Sequence, residues 1–269
     1  MRIVVKVGTS TLAHATGRMN IRHVEDLVKV LSDLKNAGHE VILVSSGAIG
    51  MGVGKLSLPT RPKDTSTKQA CAAVGQCELM YTYDRLFTAY NHNVAQILLT
   101  GVDVEHEGRR LNFQNTLTRL LELGALPIIN ENDTISVTEL MFTDNDELSG
   151  LVAAMMQAEA LIILSNIDGI YDGSPSDPSS QVIRRVKPSE DLSRYIDPAR
   201  SSRGRGGMAT KSRISSRVAG EGIEVIIANG RRDNILTALA LTGEEVLCTR
   251  FEPVSYTHLR AHETLMNIV

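Results

Sequence analysis

The sequence predicts an α/β protein whose mostly parallel central sheet is covered on both faces. Short apolar runs rich in β-branched residues alternate with segments of helical periodicity. The apolar runs lie at residues 3–7, 41–44, 94–99, 126–129, 161–164 and 225–228. Runs that stay apolar, instead of alternating with polar residues, are typical of parallel strands buried between two layers of helices.

Helical periodicity connects these runs. Between the first two runs, a predicted helix ends at Gly38. Its apolar residues fall on one face and are Ile21, Val24, Leu27, Val28, Leu31 and Leu34. Similar spacing recurs over residues 113–121 before Gly124, and residues 65–90 predict one long or broken helix. Residues 173–198 are polar and proline-rich, which predicts an excursion above the sheet.

Composition excludes several function classes. With 269 residues, 42% hydrophobic and 22% charged, the chain is an ordinary globular protein of one or two domains. Its net charge of −3 argues against a nucleic-acid binder. No apolar run is long enough for a membrane span, and the N-terminal strand carries a lysine, unlike a signal peptide. We therefore expect a cytoplasmic enzyme or binding protein.

Cysteines and histidines give no metal prediction. Cys71, Cys77 and Cys248 are too few for a disulfide framework, and the first two are expected to be buried thiols within a helix. His258 and His262 have helical spacing in the final segment but no nearby carboxylate or cysteine. We expect residues 254–269 to be a disordered or non-native tail rather than a zinc site.

The segment 201–211 is the strongest candidate for anion binding. Gly204, Gly206 and Gly207 allow backbone amides to approach an anion, and Lys211 falls in the first turn of the helix that follows. A flexible loop ending at a helix cap is an equally good interpretation of this segment taken alone.

Two further candidates follow the first two strands. Lys6 lies within an apolar strand, where a lysine is costly unless it reaches an anion, and Gly8 permits a tight turn after it. The small residues 45–50 expose backbone amides at a helix start. A solvated lysine on an edge strand is the alternative for Lys6. The glycines of residues 50–57 fit neither a P-loop nor a dinucleotide-binding turn.

Two polar clusters follow the fourth predicted strand, and a further candidate segment follows the fifth. Residues 130–133 and 143–147 are rich in carboxamides and carboxylates, which can hold both charged groups of an amino acid. Turn formation and helix capping are the alternative use of such residues. Residues 165–171, after the fifth strand, could flank a nucleotide base. Together with two separated lysines, these clusters indicate phosphoryl transfer, with Mg²⁺ bridging the phosphates of a nucleotide.

Seven motifs in order resemble the amino acid kinase superfamily over residues 3–253, and within it the kinases that act on glutamate. They are Val-Lys-Val-Gly-Thr-Ser (5–10), Ser-Ser-Gly-Ala-Ile (45–49), Ala-Ala-Val-Gly-Gln (72–76), Asn-Glu-Asn-Asp (130–133), Asp-Asn-Asp-Glu-Leu-Ser (144–149), Asp-Gly-Ile-Tyr (168–171) and Gly-Arg-Gly-Gly-Met-Ala-Thr-Lys (204–211). The resemblance implies a three-layer α/β/α sandwich that uses ATP and Mg²⁺ to phosphorylate the side-chain carboxylate of L-glutamate, the first step of proline biosynthesis. It also implies a homo-oligomer that proline can inhibit.

The resemblance assigns roles to individual residues. Lys6 and Lys211 would stabilise the transferring phosphoryl group, and Asp146 would orient both lysines. The glutamate-binding positions correspond to Ser46, Gly47, Asn130, Asp133 and Asn145. The ATP-binding positions correspond to Lys6, Gly8, Ser165, Asn166, Arg205, Gly206, Gly207, Met208, Ala209, Thr210 and Lys211.

The sequence departs from the family pattern in two places. Ser165-Asn166 stands where some members have Thr-Asp, and residues 1–253 are expected to be the kinase domain with no C-terminal PUA domain after it. Another kinase of the superfamily, acting on acetylglutamate, aspartate, uridylate or carbamate, is the nearest alternative function. A non-catalytic amino-acid sensor is disfavoured because it would need neither the two lysines nor Asp146.

Overall fold

A computed structural model describes residues 1–14, 18–136, 145–175, 177–188, 190–192, 195 and 207–254. Its strands are β1 (Arg2–Val7), β2 (Glu40–Ser45), β3 (Val94–Leu99), β4 (Leu126–Glu131), β5 (Ala160–Ser165), β6 (Arg185–Val186), β7 (Glu224–Asn229) and β8 (Cys248–Phe251). The helices are α1 (Thr9–Leu12), α2 (Ile21–Asn36), α3 (Ala48–Lys55), α4 (Thr65–Thr88), α5 (Gly101–Glu105), α6 (Glu107–Glu122), α7 (Asn145–Met155), α8 (Met208–Gly220) and α9 (Ile235–Thr237), which a π-helical turn (Ala238–Thr242) continues.

The strands form one sheet in the order β3-β4-β2-β1-β5-β7-β8-β6. All neighbouring pairs are parallel except β7 and β8. All six predicted strands are confirmed. The short strands β6 and β8 were not predicted, and β6 lies within the polar excursion.

Helices cover both faces of the sheet, which confirms the three-layer α/β/α sandwich. One core joins alternate residues of the strands, such as Val4 and Val44, to α6, α7 and α8. The other joins the intervening residues, such as Val5 and Leu43, to α2 and α4. Because side chains alternate along a strand, Lys6 shares its face with Val4 and points toward the α6–α8 layer.

Helices α3 and α4 cross with almost no space between their backbones. A Cβ atom added to Gly75 would overlap the carbonyl oxygen of Ala48, and one added to Gly52 would overlap that of Cys71. Gly50, Gly52 and Gly54 all lie within α3, and Gly52 serves this helix contact, consistent with the rejection of a P-loop. The prediction that Cys71 and Cys77 are both buried is wrong. Cys71 is buried at the crossing, whereas Cys77 is exposed on another face of α4.

Within the described parts of the chain, no helix is both long enough and apolar enough to cross a bilayer.

We expect Gly75→Ala to lower the free energy of unfolding by about 3 kcal/mol, because the new methyl group must displace backbone atoms. Urea unfolding followed by circular dichroism measures this change. Gly220→Ala is the matched control, since a Cβ there has no atom within 4 Å and Gly220 lies in α8. Equal stability of the two variants would contradict the packing described here.

Candidate active site

The candidate site is a cleft at the carboxyl ends of the central strands. The chain turns from β2 and its neighbours on one side of β1 to β5 and β7 on the other, and ligands bind at such a reversal in parallel sheets. The residues after three adjacent strands line the cleft: Gly8 after β1, Ser46 after β2, and Ser165 with Asn166 at the end of β5. Its volume is about 800 Å³, enough for a nucleotide and a small acid.

A buried ion triad forms the base of the cleft. Lys6 Nζ lies 2.5 Å from Asp146 Oδ1, and Lys211 Nζ lies 2.6 Å from Asp146 Oδ2. Asp146 is completely buried, and the lysine side chains are only 8% and 11% exposed. The sequence brings them together from the end of β1, the first turn of α7 and the first turn of α8.

The electrostatics of the triad favour the charged carboxylate. Burial by itself would raise the pKa of Asp146, but attraction to Lys6 and Lys211 outweighs it and holds that pKa below its usual range. One carboxylate between two ammonium groups leaves the triad with a net positive charge. Both lysines also line the cleft, so this charge is available to a bound anion.

Further cations extend the positive wall. Arg61, Lys63 and Lys68 come from the segment before α4 and from its first turn, and they line the same cleft. With Lys6 and Lys211 they make five cations, and no carboxylate belongs to the cleft lining that the structure describes. Such a wall fits a polyphosphate and a carboxylic acid together. Sequence reasoning missed these three residues, although basic residues around the Asp64 helix cap were a visible signal.

A chain of hydrogen-bonded amides reaches the cleft at Asn145 and Ser46. Asn145 Nδ2 donates to Ser46 Oγ at 2.6 Å and to Asn130 Oδ1 at 2.9 Å. Asn130 Nδ2 in turn donates to Gln76 Oε1 at 2.9 Å. Three of the residues assigned to glutamate binding are therefore in contact, and Gln76 is an unassigned fourth member. Asp133 is half-buried in the turn after β4.

Glycines shape two edges of the cleft. Gly47 has a φ of 113°, which only glycine adopts readily, and it is the N-cap residue of α3 immediately after Ser46. A Cβ on Gly8 would lie 3.6 Å from Lys6 Nζ, so a side chain there would cover the ammonium group. That their backbone amides approach an anion stays a prediction.

The remaining ATP-binding predictions are only partly described. Gly207 precedes α8, while Met208, Ala209, Thr210 and Lys211 form its first turn. Arg205 and Gly206 lie outside the described residues, as do His258 and His262. No group of three or more histidine, cysteine, aspartate or glutamate side chains suited to a metal occurs in the described part of the chain.

A second polar cluster lies at the ends of β5 and β7. The Asp168 carboxylate accepts hydrogen bonds from two nitrogens of Arg232, at 2.5 and 2.8 Å, and from Asn229 Nδ2 at 3.0 Å. The Arg232 contacts are the main reason that the pKa of Asp168 is lowered to about 2. This cluster fixes the turn that follows Ser165 and Asn166.

Comparison with known proteins agrees with this architecture. A model of the amino acid kinase family matches residues 1–229. The chain therefore belongs to the amino acid kinase family.

Its sequence relatives narrow this class. The glutamate 5-kinase of Bacteroides thetaiotaomicron is 50% identical over 252 residues, covering 94% of this chain and 70% of that protein. The glutamate 5-kinase of Clostridium perfringens is 47% identical over 251 residues, covering 91% of this chain and 93% of that protein. The predicted resemblance to glutamate 5-kinases is confirmed.

Solved structures confirm the fold. The isopentenyl phosphate kinase of T. acidophilum has a TM-score of 0.66 at 16% identity, covering 94% of this chain and 100% of that chain. The carbamate kinase of Giardia lamblia has a TM-score of 0.64 at 17% identity, covering 94% of this chain and 98% of that chain. At these identities the likeness concerns the fold alone.

Asp168 gives a pH-dependent prediction. Its pKa is lower in the folded chain than the value of about 3.9 in an unfolded one, so its stabilisation is present above about pH 4 and is lost as the pH falls toward 2. We expect Asp168→Asn to cost about 1 kcal/mol near neutral pH and progressively less on acidification. Urea unfolding at a series of pH values measures this, with the exposed Asp84→Asn as control. A difference that stays constant down to pH 2 would contradict the assignment.

Proposed function

We propose that this chain transfers the γ-phosphoryl group of ATP to the side-chain carboxylate of L-glutamate, giving L-glutamyl 5-phosphate and ADP. The observation that carries the proposal is the convergence of Lys6 and Lys211 on Asp146 at the base of a cationic cleft. The glutamate 5-kinases related at 47–50% identity favour glutamate over the other acids that this family phosphorylates.

The reaction needs charge stabilisation more than covalent help. A carboxylate oxygen of glutamate forms a bond to the γ-phosphorus while the bond to the bridging oxygen of ADP breaks. The phosphoryl group carries negative charge throughout, and both substrates are anions. Lys6 and Lys211 offset this charge from fixed positions, because Asp146 holds both ammonium groups before the substrates arrive.

The two substrates would bind to different sets of residues. Ser46, Gly47, Asn130, Asp133 and Asn145 would bind glutamate. Gly8, Ser165, Asn166 and the start of α8 would bind ATP, with Arg205 and Gly206 completing this set. The described cleft lining contains no carboxylate, and Asp146 already pairs with two lysines. These residues therefore fit Mg²⁺ only as an ion that the nucleotide brings with it. When bound, Mg²⁺ would neutralise phosphate charge.

The proposal also covers the location of the protein, the extent of the kinase domain, its assembly and its inhibition. All three cysteines are free, which agrees with a cytoplasmic protein. A kinase domain spanning residues 1–253 agrees with the family match over residues 1–229. Assembly into a homo-oligomer and inhibition by proline stay predictions of the resemblance.

The substrate assignment is tested by trapping the acyl phosphate with hydroxylamine. We expect ATP- and Mg²⁺-dependent hydroxamate from L-glutamate, with at least about tenfold lower kcat/KM for N-acetylglutamate and aspartate. Uridylate and carbamate kinase activity are checked by ADP release. Equal turnover of glutamate and any of these compounds would overturn the assignment.

The role of Lys211 is tested by Lys211→Met. We expect kcat to fall by on the order of a hundredfold or more, because one fixed cation at the phosphoryl group is lost. Glutamate affinity, measured by calorimetry, should change little. Lys29→Met is the control, since Lys29 is half-exposed on α2 and pairs with Asp26. Unchanged turnover in Lys211→Met would show that the phosphate binds elsewhere.

A further inference from the structure

A hydrogen-bonded chain of side chains runs from the interior of the fold to the cleft. It begins at Gln76 on α4, passes through Asn130 at the end of β4 and Asn145 at the start of α7, and ends at Ser46 after β2. Gln76 and Asn130 are buried, at 7% and 2% exposure. Ser46 and Asn145 line the cleft, so the chain joins a buried residue to the substrate space.

The direction of these hydrogen bonds is fixed at its buried end. The backbone N–H of Glu131 can only donate, and it donates to Asn130 Oδ1 at 2.9 Å. The Asn130 amide must therefore turn its Nδ2 toward Gln76, whose Oε1 accepts from it. Asn130 Oδ1 then also accepts from Asn145, so the nitrogen of Asn145 faces Asn130.

The consequence reaches the cleft through Ser46. Asn145 Nδ2 also donates to Ser46 Oγ, which makes that oxygen an acceptor on its buried side. A hydroxyl that accepts one hydrogen bond retains its own proton to donate. The hydroxyl proton of Ser46 is therefore available to an acceptor in the cleft, and a carboxylate oxygen is the acceptor that an acidic substrate supplies.

The crossing of α3 and α4 fixes the distance between Gln76 and Ser46, the two ends of the hydrogen-bonded series. Gly75 adjoins Gln76, and its backbone lies against that of Ala48, two residues after Ser46. Because a β-carbon fits at neither Gly52 nor Gly75, the main chains of α3 and α4 pack at contact distance, and separating them would lose these contacts. Gln76 therefore meets Asn130 at a position that is fixed relative to Ser46.

We propose that Gln76 is a positioning residue for the acidic substrate, holding Asn130 and, through it, Asn145, so that the Ser46 hydroxyl donates to a substrate carboxylate. Gln76 does not line the cleft as the structure describes it, so it acts through the side chains of Asn130 and Asn145. The inference rests on the proposed function for the identity of the acid.

The first test is Gln76→Met, which keeps the size of the side chain and removes the acceptor. The unpaired Asn130 amide should raise KM for glutamate on the order of tenfold, while KM for ATP stays within about threefold of wild type. Gln69→Met, earlier on the same helix, is the matched control and should leave both KM values unchanged. Unchanged KM for glutamate in folded Gln76→Met, or an equal rise in both KM values, would overturn the proposal.

Two further variants separate positioning from general damage. Gln76→Glu keeps an acceptor oxygen and should have a KM for glutamate nearer to wild type than Gln76→Met. Ser46→Ala removes the final donor, so adding Gln76→Met to it should raise KM for glutamate less than about threefold further. If the two substitutions raise KM for glutamate by independent factors that multiply, the proposal is wrong. It is also wrong if Gln76→Glu raises KM for glutamate as much as Gln76→Met does.

Failure of the proposed function gives a different result. In that case wild-type protein produces no hydroxamate from glutamate, and the same variants are then measured with the acid that the substrate screen identifies. If wild type does act on glutamate and the effects multiply, only the positioning role of Gln76 is wrong.

Discussion

The placement of one carboxylate between two ammonium groups is the constraint on which the site depends. Lys6 and Lys211 approach the same side chain, Asp146, and without its negative charge they would repel each other inside a region from which water is largely excluded. Burying Asp146 is itself unfavourable, and the two lysines offset this cost. The triad thereby links β1, α7 and α8, three elements that are far apart in the sequence.

The sheet makes this arrangement possible. Lys6 pairs in register with Val44 of β2 and Ile163 of β5, so it lies on the central strand of the sheet near its carboxyl end. Its side chain points toward α7 because alternate residues of β1 belong to that face. The opposite face buries Val5 and Val7, so shifting β1 by one residue would bury the lysine among apolar side chains.

The sequence alone predicts the parts of this structure that are local. The apolar runs identify six strands, and the strand interior around Lys6 already suggests an unusual lysine. The strands β6 and β8 escape prediction because they have only two and four residues and follow polar segments. The triad comes from the family resemblance, since no spacing places Lys6, Asp146 and Lys211 side by side. Gln76 carries no signal of its own, because a glutamine within a helix is ordinarily a surface residue.

The glycine-to-glycine contact between α3 and α4 has a consequence for altering which acid the protein accepts. A larger or smaller substrate cannot be accommodated by sliding one of these helices along the other, because their main chains are already at contact distance. The turn that carries Ser46 is thus a rigid side of the pocket. New specificity would have to come from a part of the site outside α3 and α4, such as the start of α7 at Asn145, and directed libraries are best concentrated there.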